Sequence, residues 1–176
     1  MELENTRDLV MYATIFGTFA FAWFGWAQEN PPEKLRVWLG LGSIISLMVA
    51  ALGGYLAYTN WHALSALNRE GVYELFGIVV ATEIVLAFIG SIILMKRNRN
   101  DLIASWVAFV VAIHFIPLAV MFQDSSLYIL SALIVTGIIL LHRVTAEKIK
   151  RNTMTCIFTA CVLLVFAVRG LLIYLY

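Results

Sequence analysis

A chain of 176 residues has the length of one domain. However, 62% of its residues are apolar and only 13% charged, where soluble domains run at about 45–50% and about 25%. With a mean hydropathy of +0.89 there is too little polar surface to cover a core in water. This excludes a soluble globular class and makes lipid the solvent for most of the chain. A net charge of +1 gives no basis for nucleic acid as a partner.

The first eight residues, Met1 to Asp8, include Glu2, Glu4 and Asp8. A cleavable secretory signal wants a basic start, so the apolar run that follows is read as a retained helix. A membrane span needs about 20 mostly apolar residues to cross a hydrocarbon layer of ~30 Å. Six stretches qualify, at 9–27, 37–58, 73–95, 102–122, 127–142 and 154–175. The expected fold is all-α: one transmembrane domain over 1–176, a bundle of six helices with short loops.

Between the first and second spans, Asn30-Pro31-Pro32-Glu33 offers a capping residue, prolines for the first turn and an acid for the positive end of the helix dipole. The second span carries Gly42, Ser46, Ala50 and Gly54, four residues apart. These form a small-residue seam that lets a neighbouring helix approach closely, either in the same bundle or in a second chain. The long connection 59–72, with Trp61, His62 and an Ala-Leu-Ser-Ala-Leu stretch, suits a short interfacial helix, which Gly71 separates from the third span. Asn100-Asp101 can cap the fourth. The short fifth span can continue as a helix through Thr145 to Arg151.

Orientation follows from Lys and Arg. The loops after spans one, three and five hold Lys34, Arg36, Lys96, Arg97, Arg99, Arg143, Lys148, Lys150 and Arg151; the other side has Arg7 and Arg69. Nine against two puts those three loops in the cytoplasm and both termini outside, in a multi-pass protein of the cell membrane. Trp23, Trp26, Trp38 and Trp106 then fall near the inner interface. Trp61, Tyr73, Tyr128, Tyr174 and Tyr176 fall near the outer one. Cys156 and Cys161, five apart on one helix, cannot pair there and read as small buried residues.

Polar groups at mid-membrane depth are the informative ones, because a charge there costs at least ~2.5–3.5 kcal/mol. Three stand out: Glu83 in the third span, His114 in the fourth and Arg169 in the sixth. At a rise of about 1.5 Å per residue, Glu83 lies near its span's midpoint. His114 and Arg169 lie slightly beyond theirs, toward the outside. The expected site is therefore a polar pocket between spans three, four and six. In it Glu83 is the proton or cation partner, His114 a titratable hydrogen-bonding group and Arg169 the anion partner. The bland counterparts are a structural acid that hydrogen-bonds inside the bundle, a satisfied core histidine, and an arginine that snorkels or forms a structural salt bridge. Pro117 cannot donate to the Ile113 carbonyl, so a kink is expected beside His114.

No span holds a lysine for retinal, His62 and His142 lie too far from mid-depth to pair with His114 on a haem, and no nucleophile elbow, zinc-protease motif or P-loop occurs. The three aspartates are scattered at span ends. Enzymatic activity is the weaker expectation; no catalytic residue, metal site or cofactor is assigned. The expected function is to bind or transport a small solute, a proton or a lipid. The alternative is a structural or interaction subunit of a membrane complex, with the polar trio only bracing the bundle. Expected partners are the lipid bilayer, a small-molecule ligand and a homo- or hetero-oligomeric neighbour.

Overall fold

The computed structural model describes residues 6–29, 31–145 and 148–176. Among them are six long helices and no strand: α1 Thr6–Ala27, α2 Glu33–Thr59, α3 Val72–Lys96, α4 Ile103–Phe122, α5 Ser126–Val144 and α6 Lys148–Leu175. Each lies over one of the apolar runs, and all six helices are long and apolar enough to cross a membrane. Helix α4 runs unbroken through Pro117.

The helix ends differ from expectation in four places. Pro32, at φ −55°, is itself the N-cap of α2, with Glu33 as the acid of the first turn; Asn30 lies outside the described residues. Asn100–Leu102 form a 3-10 turn ahead of α4 with no side-chain cap, and the Asp101 carboxylate accepts from Arg99 Nε at 3.3 Å. Helix α5 stops at Val144 with Thr145 extended, and the basic stretch from Lys148 belongs to α6. The connection before α3 shortens from an interfacial helix to a 3-10 turn, Ala66–Asn68, with the Ser65 hydroxyl accepting from the Leu67 amide. Gly71 starts α3 at φ +74°, a left-handed conformation that glycine adopts without a Cβ clash.

Helix α1 packs on α2 and α6. Its backbone comes very close to both. A Cβ on Gly17 would stand 2.9 Å from the Ala50 amide nitrogen, one on Gly53 2.6 Å from that of Thr14, and one on Gly170 2.6 Å from the Leu9 carbonyl oxygen. The small-residue face of α2 is thus turned to α1 of the same chain. Ser46 and Ala50 are buried there, Gly42 lies under the Phe24 ring and Gly54 sits at the margin. With about 3.6 residues per turn the contact line drifts off a four-residue repeat, through Leu39, Ser43, Ser46, Ala50, Gly53 and Ala57.

Helices α4, α5 and α6 close the other side of the core around Ala108, Leu130, Ile134, Cys156 and Leu163. One position departs from the sequence reading here. Cys161 faces outward, whereas Cys156 is buried. Trp23 is buried in the core, stacked on Trp26 at 5.2 Å between ring centroids, near the end of α1.

Helix α3 stands apart. None of its residues is buried, and it packs on α4 and the two 3-10 turns. Its anchor is Trp106 of α4, whose indole lies against Gly90 and donates through Nε1 to the Leu86 carbonyl at 3.1 Å.

Candidate functional site: a cavity between α1, α3 and α4

Two walls of the candidate site come from regular helical spacing. On α1, Tyr12, Phe16 and Phe19 recur at i, i+4 and i+7, which stacks them along one side. On α3, Phe76, Val80 and Glu83 do the same. The two helices do not close on each other; α4 bridges them through rings, with Tyr12 against Phe122 at 5.8 Å and Phe16 against Phe115 at 5.6 Å, both edge to face. A cavity of about 680 Å³ remains between α1, α3 and α4, within the range of about 300–1,000 Å³ that holds small-molecule ligands. Its walls are apolar and aromatic, and α6 contributes only Leu163. Phe19 and Tyr73, 53% and 68% exposed, stand at its edge on the outside of the bundle.

The polar groups of the cavity fall at two levels. At its end lies a knot built on the first turn of α1. Asp8, 5% exposed, accepts from the Ser65 hydroxyl at 2.6 Å and from the Ala66 amide at 2.7 Å. Arg7 donates to the Trp61 carbonyl and to Asn68 Oδ1, each at 3.0 Å, and its guanidinium stands 5.6 Å from the centre of the Trp61 ring. These bonds tie α1 to the segment preceding α3. Arg69 adds a bond to the Met121 carbonyl at the end of α4.

Deeper in, about 16 Å along α3 from its start at a rise of about 1.5 Å per residue, Glu83 meets His114. Glu83 Oε2 lies 3.5 Å from His114 Nε2, and the two side chains are 17% and 14% exposed. His114 Nδ1 lies 2.7 Å from the Val111 carbonyl oxygen. A carbonyl can only accept, so Nδ1 carries the hydrogen, and Nε2 of the neutral ring is a lone pair aimed at the carboxyl group. A carboxylate facing that lone pair would be repelled by it. The two groups attract only when the pair holds one further proton, either on the carboxyl or on Nε2, and the pair is then neutral overall.

The structure therefore joins two of the three residues singled out by depth. Arg169 does not line the cavity. It reaches Asp124 Oδ2 at 3.5 Å, at the turn between α4 and α5 where Asp124 Oδ1 also accepts from the Ser126 amide. Pro117 lies one turn beyond His114 on α4, outside the cavity lining. Sequence reasoning missed the whole α1 wall and the Arg7–Asp8 knot. The aromatic period of α1 was a usable signal; the knot had none, because it joins residues more than fifty apart in the chain. Among the described residues no three His, Cys, Asp or Glu side chains gather as a metal-binding group.

No family model, curated protein or solved structure matches this chain.

Proposed function

We propose that the chain is a six-span integral protein of the cell membrane that binds a small, largely apolar molecule with one polar or charged group in the cavity between α1, α3 and α4. The observation that carries this reading is a ligand-sized apolar cavity with a carboxyl–imidazole pair set deep in its wall. Burying such a pair in lipid is expensive, and a structural role alone would favour full burial among partners rather than a face on open space. The exposed edge at Phe19 and Tyr73 supports entry from the side, between α1 and α3. The nine-to-two distribution of Lys and Arg supports termini outside the cytoplasm. On this orientation the Arg7–Asp8 knot lies at the outer end.

A cavity-filling substitution tests the reading. Purified protein in lipid nanodiscs is offered aromatic lipophiles of matched size in neutral, cationic and anionic forms, with empty nanodiscs subtracted. At least one should bind saturably, and Val80→Trp should weaken that binding at least about tenfold, since an indole takes up ligand space and overpacking typically costs about 1–3 kcal/mol. If no probe binds the folded protein better than it binds Val80→Trp, the cavity is not a site.

One observation favours a second reading, that of a structural subunit in a membrane complex: α3 exposes Ile78, Ile84 and Phe88 along its length. In lipid such a face needs no protein cover. A nanodisc particle that holds one chain and binds ligand supports the first reading. A stable oligomer that binds none of the probes supports the second.

A further inference from the structure

We propose that the ligand is a lipophilic organic cation, taken up in exchange for the proton held by the Glu83–His114 pair; this rests on the cavity reading above. Charge accounting is the first ground. The pair is neutral with its proton, and removing that proton alone would leave a carboxylate uncompensated in an apolar cavity, which is costly. A cation lying against Glu83 compensates it permanently. The exchange therefore brings one positive charge in, releases one proton to water and leaves the cavity neutral. No covalent bond other than that to the proton is broken or made.

The walls are the second ground. Aromatic rings line the space on several sides, among them those of Tyr12, Phe16, Phe19, Phe76, Phe115 and Phe122. Aromatic faces carry negative potential and attract cations, most strongly where water is excluded. An anion would meet those faces and find no free counter-charge. Arg7, the one Lys or Arg lining the cavity, is committed to the Trp61 carbonyl and Asn68. The remaining ionisable groups around Glu83 do not compete for the role. Asp8 accepts from Ser65 and Ala66, Tyr12 and Tyr73 offer phenol groups rather than carboxylates, and Asp101, in the 3-10 turn against α3, accepts from Arg99.

The test uses tetraphenylphosphonium and tetraphenylborate, ions of the same size and opposite charge, with triphenylphosphine oxide as the neutral probe. Binding to the protein in nanodiscs is measured calorimetrically in two buffers of different ionisation enthalpy, which reports protons released. The expected result is saturable binding of the phosphonium with about one proton released, and affinity falling by about tenfold per pH unit below the titration of the pair, as one-proton linkage requires. Glu83→Gln should abolish proton release and weaken the phosphonium at least about tenfold, while Glu83→Asp, which keeps the charge, should retain release. Phosphonium binding without proton release overturns the exchange. Equal or tighter binding of the borate or the oxide, lost in Val80→Trp, overturns the cation assignment and leaves the cavity reading standing. If none of the three probes binds, both fall.

Discussion

Helices α1 and α3 face each other across the same cavity and are held in opposite ways. Helix α1 is gripped on two sides by backbone-to-backbone contacts at Gly17, Gly53 and Gly170 and buries ten of its residues. Helix α3 buries none and meets α4 through the Trp106 indole, the carboxyl–imidazole pair and the Phe76 ring on Phe122, with the 3-10 turns beside it. The carboxylate sits on the loosely held helix and its imidazole on the firm side, with α4. Under the proposed exchange, a ligand that displaces the proton held by this pair would change one of the contacts between α3 and the bundle. Binding would then be coupled to the position of α3, because a pair that changes state would also be part of the weaker of the two attachments.

The sharpest way to break this comparison is to place the same bulk on both sides of it. Gly53→Leu drives a side chain into the Thr14 backbone, which would lie 2.6 Å from its Cβ, whereas Gly77 on α3 has open space within 4 Å. Overpacking typically costs about 1–3 kcal/mol, and a clash with backbone cannot be relieved by a rotamer change. Gly53→Leu is expected to lose monodisperse folded protein or lower the melting temperature clearly; Gly77→Leu is expected to melt like the parent. Equal effects in a thermal unfolding assay would remove the distinction between a tight half and a loose half.

Asp8→Ala comes next in size. It leaves the Ser65 hydroxyl and Ala66 amide without their acceptor, and a buried donor left unpaired costs about 1–3 kcal/mol. The loss should be local, since the knot secures only the end of α1 to the segment before α3. Hydrogen exchange is expected to speed up at Ala66 and Leu67 while the α1–α2 contact around Gly17 and Gly53 stays protected. A uniform rise across the molecule would mean that the knot belongs to the core rather than to the attachment of α3.

What could be read in advance follows the same division. Hydropathy located six helices because each is a continuous apolar run, and the helix ends were misplaced where the decisive contact lies outside the run, as with Asp101 and Arg99. Depth along an axis is additive in residue number, and Glu83 and His114, which residue count puts close in depth, lie 3.5 Å apart. Rotation about each axis and the order of helices around the bundle depend on which small residues meet. Those meetings, such as Gly17 with Ala50, join separate segments. Hence α1 was not foreseen as a wall of the cavity, although Tyr12, Phe16 and Phe19 keep helical spacing. Burial of Trp23 against the core is likewise a rotation about its axis that the apolar run does not fix.

Arg169 provides the smallest expected effect and the most specific one. Its depth matched that of Glu83 and His114, yet its side chain ends at Asp124, 3.5 Å away and at the α4–α5 turn, with 37% of it exposed. A pair that open to solvent is worth about 0–1 kcal/mol. Asp124 also accepts from the Ser126 amide, so Asp124→Asn keeps an acceptor for the turn and removes only the charge that Arg169 meets. Asp124→Asn and Arg169→Leu should each shift the melting temperature only slightly, and combining them should cost less than the sum, as expected of two residues that act through each other. Neither should alter phosphonium affinity or proton release, because the pair does not border the cavity. A change of tenfold or more in either property with Arg169→Leu would bring α6 back into the site and require α3, α4 and α6, rather than α1, to be its principal walls.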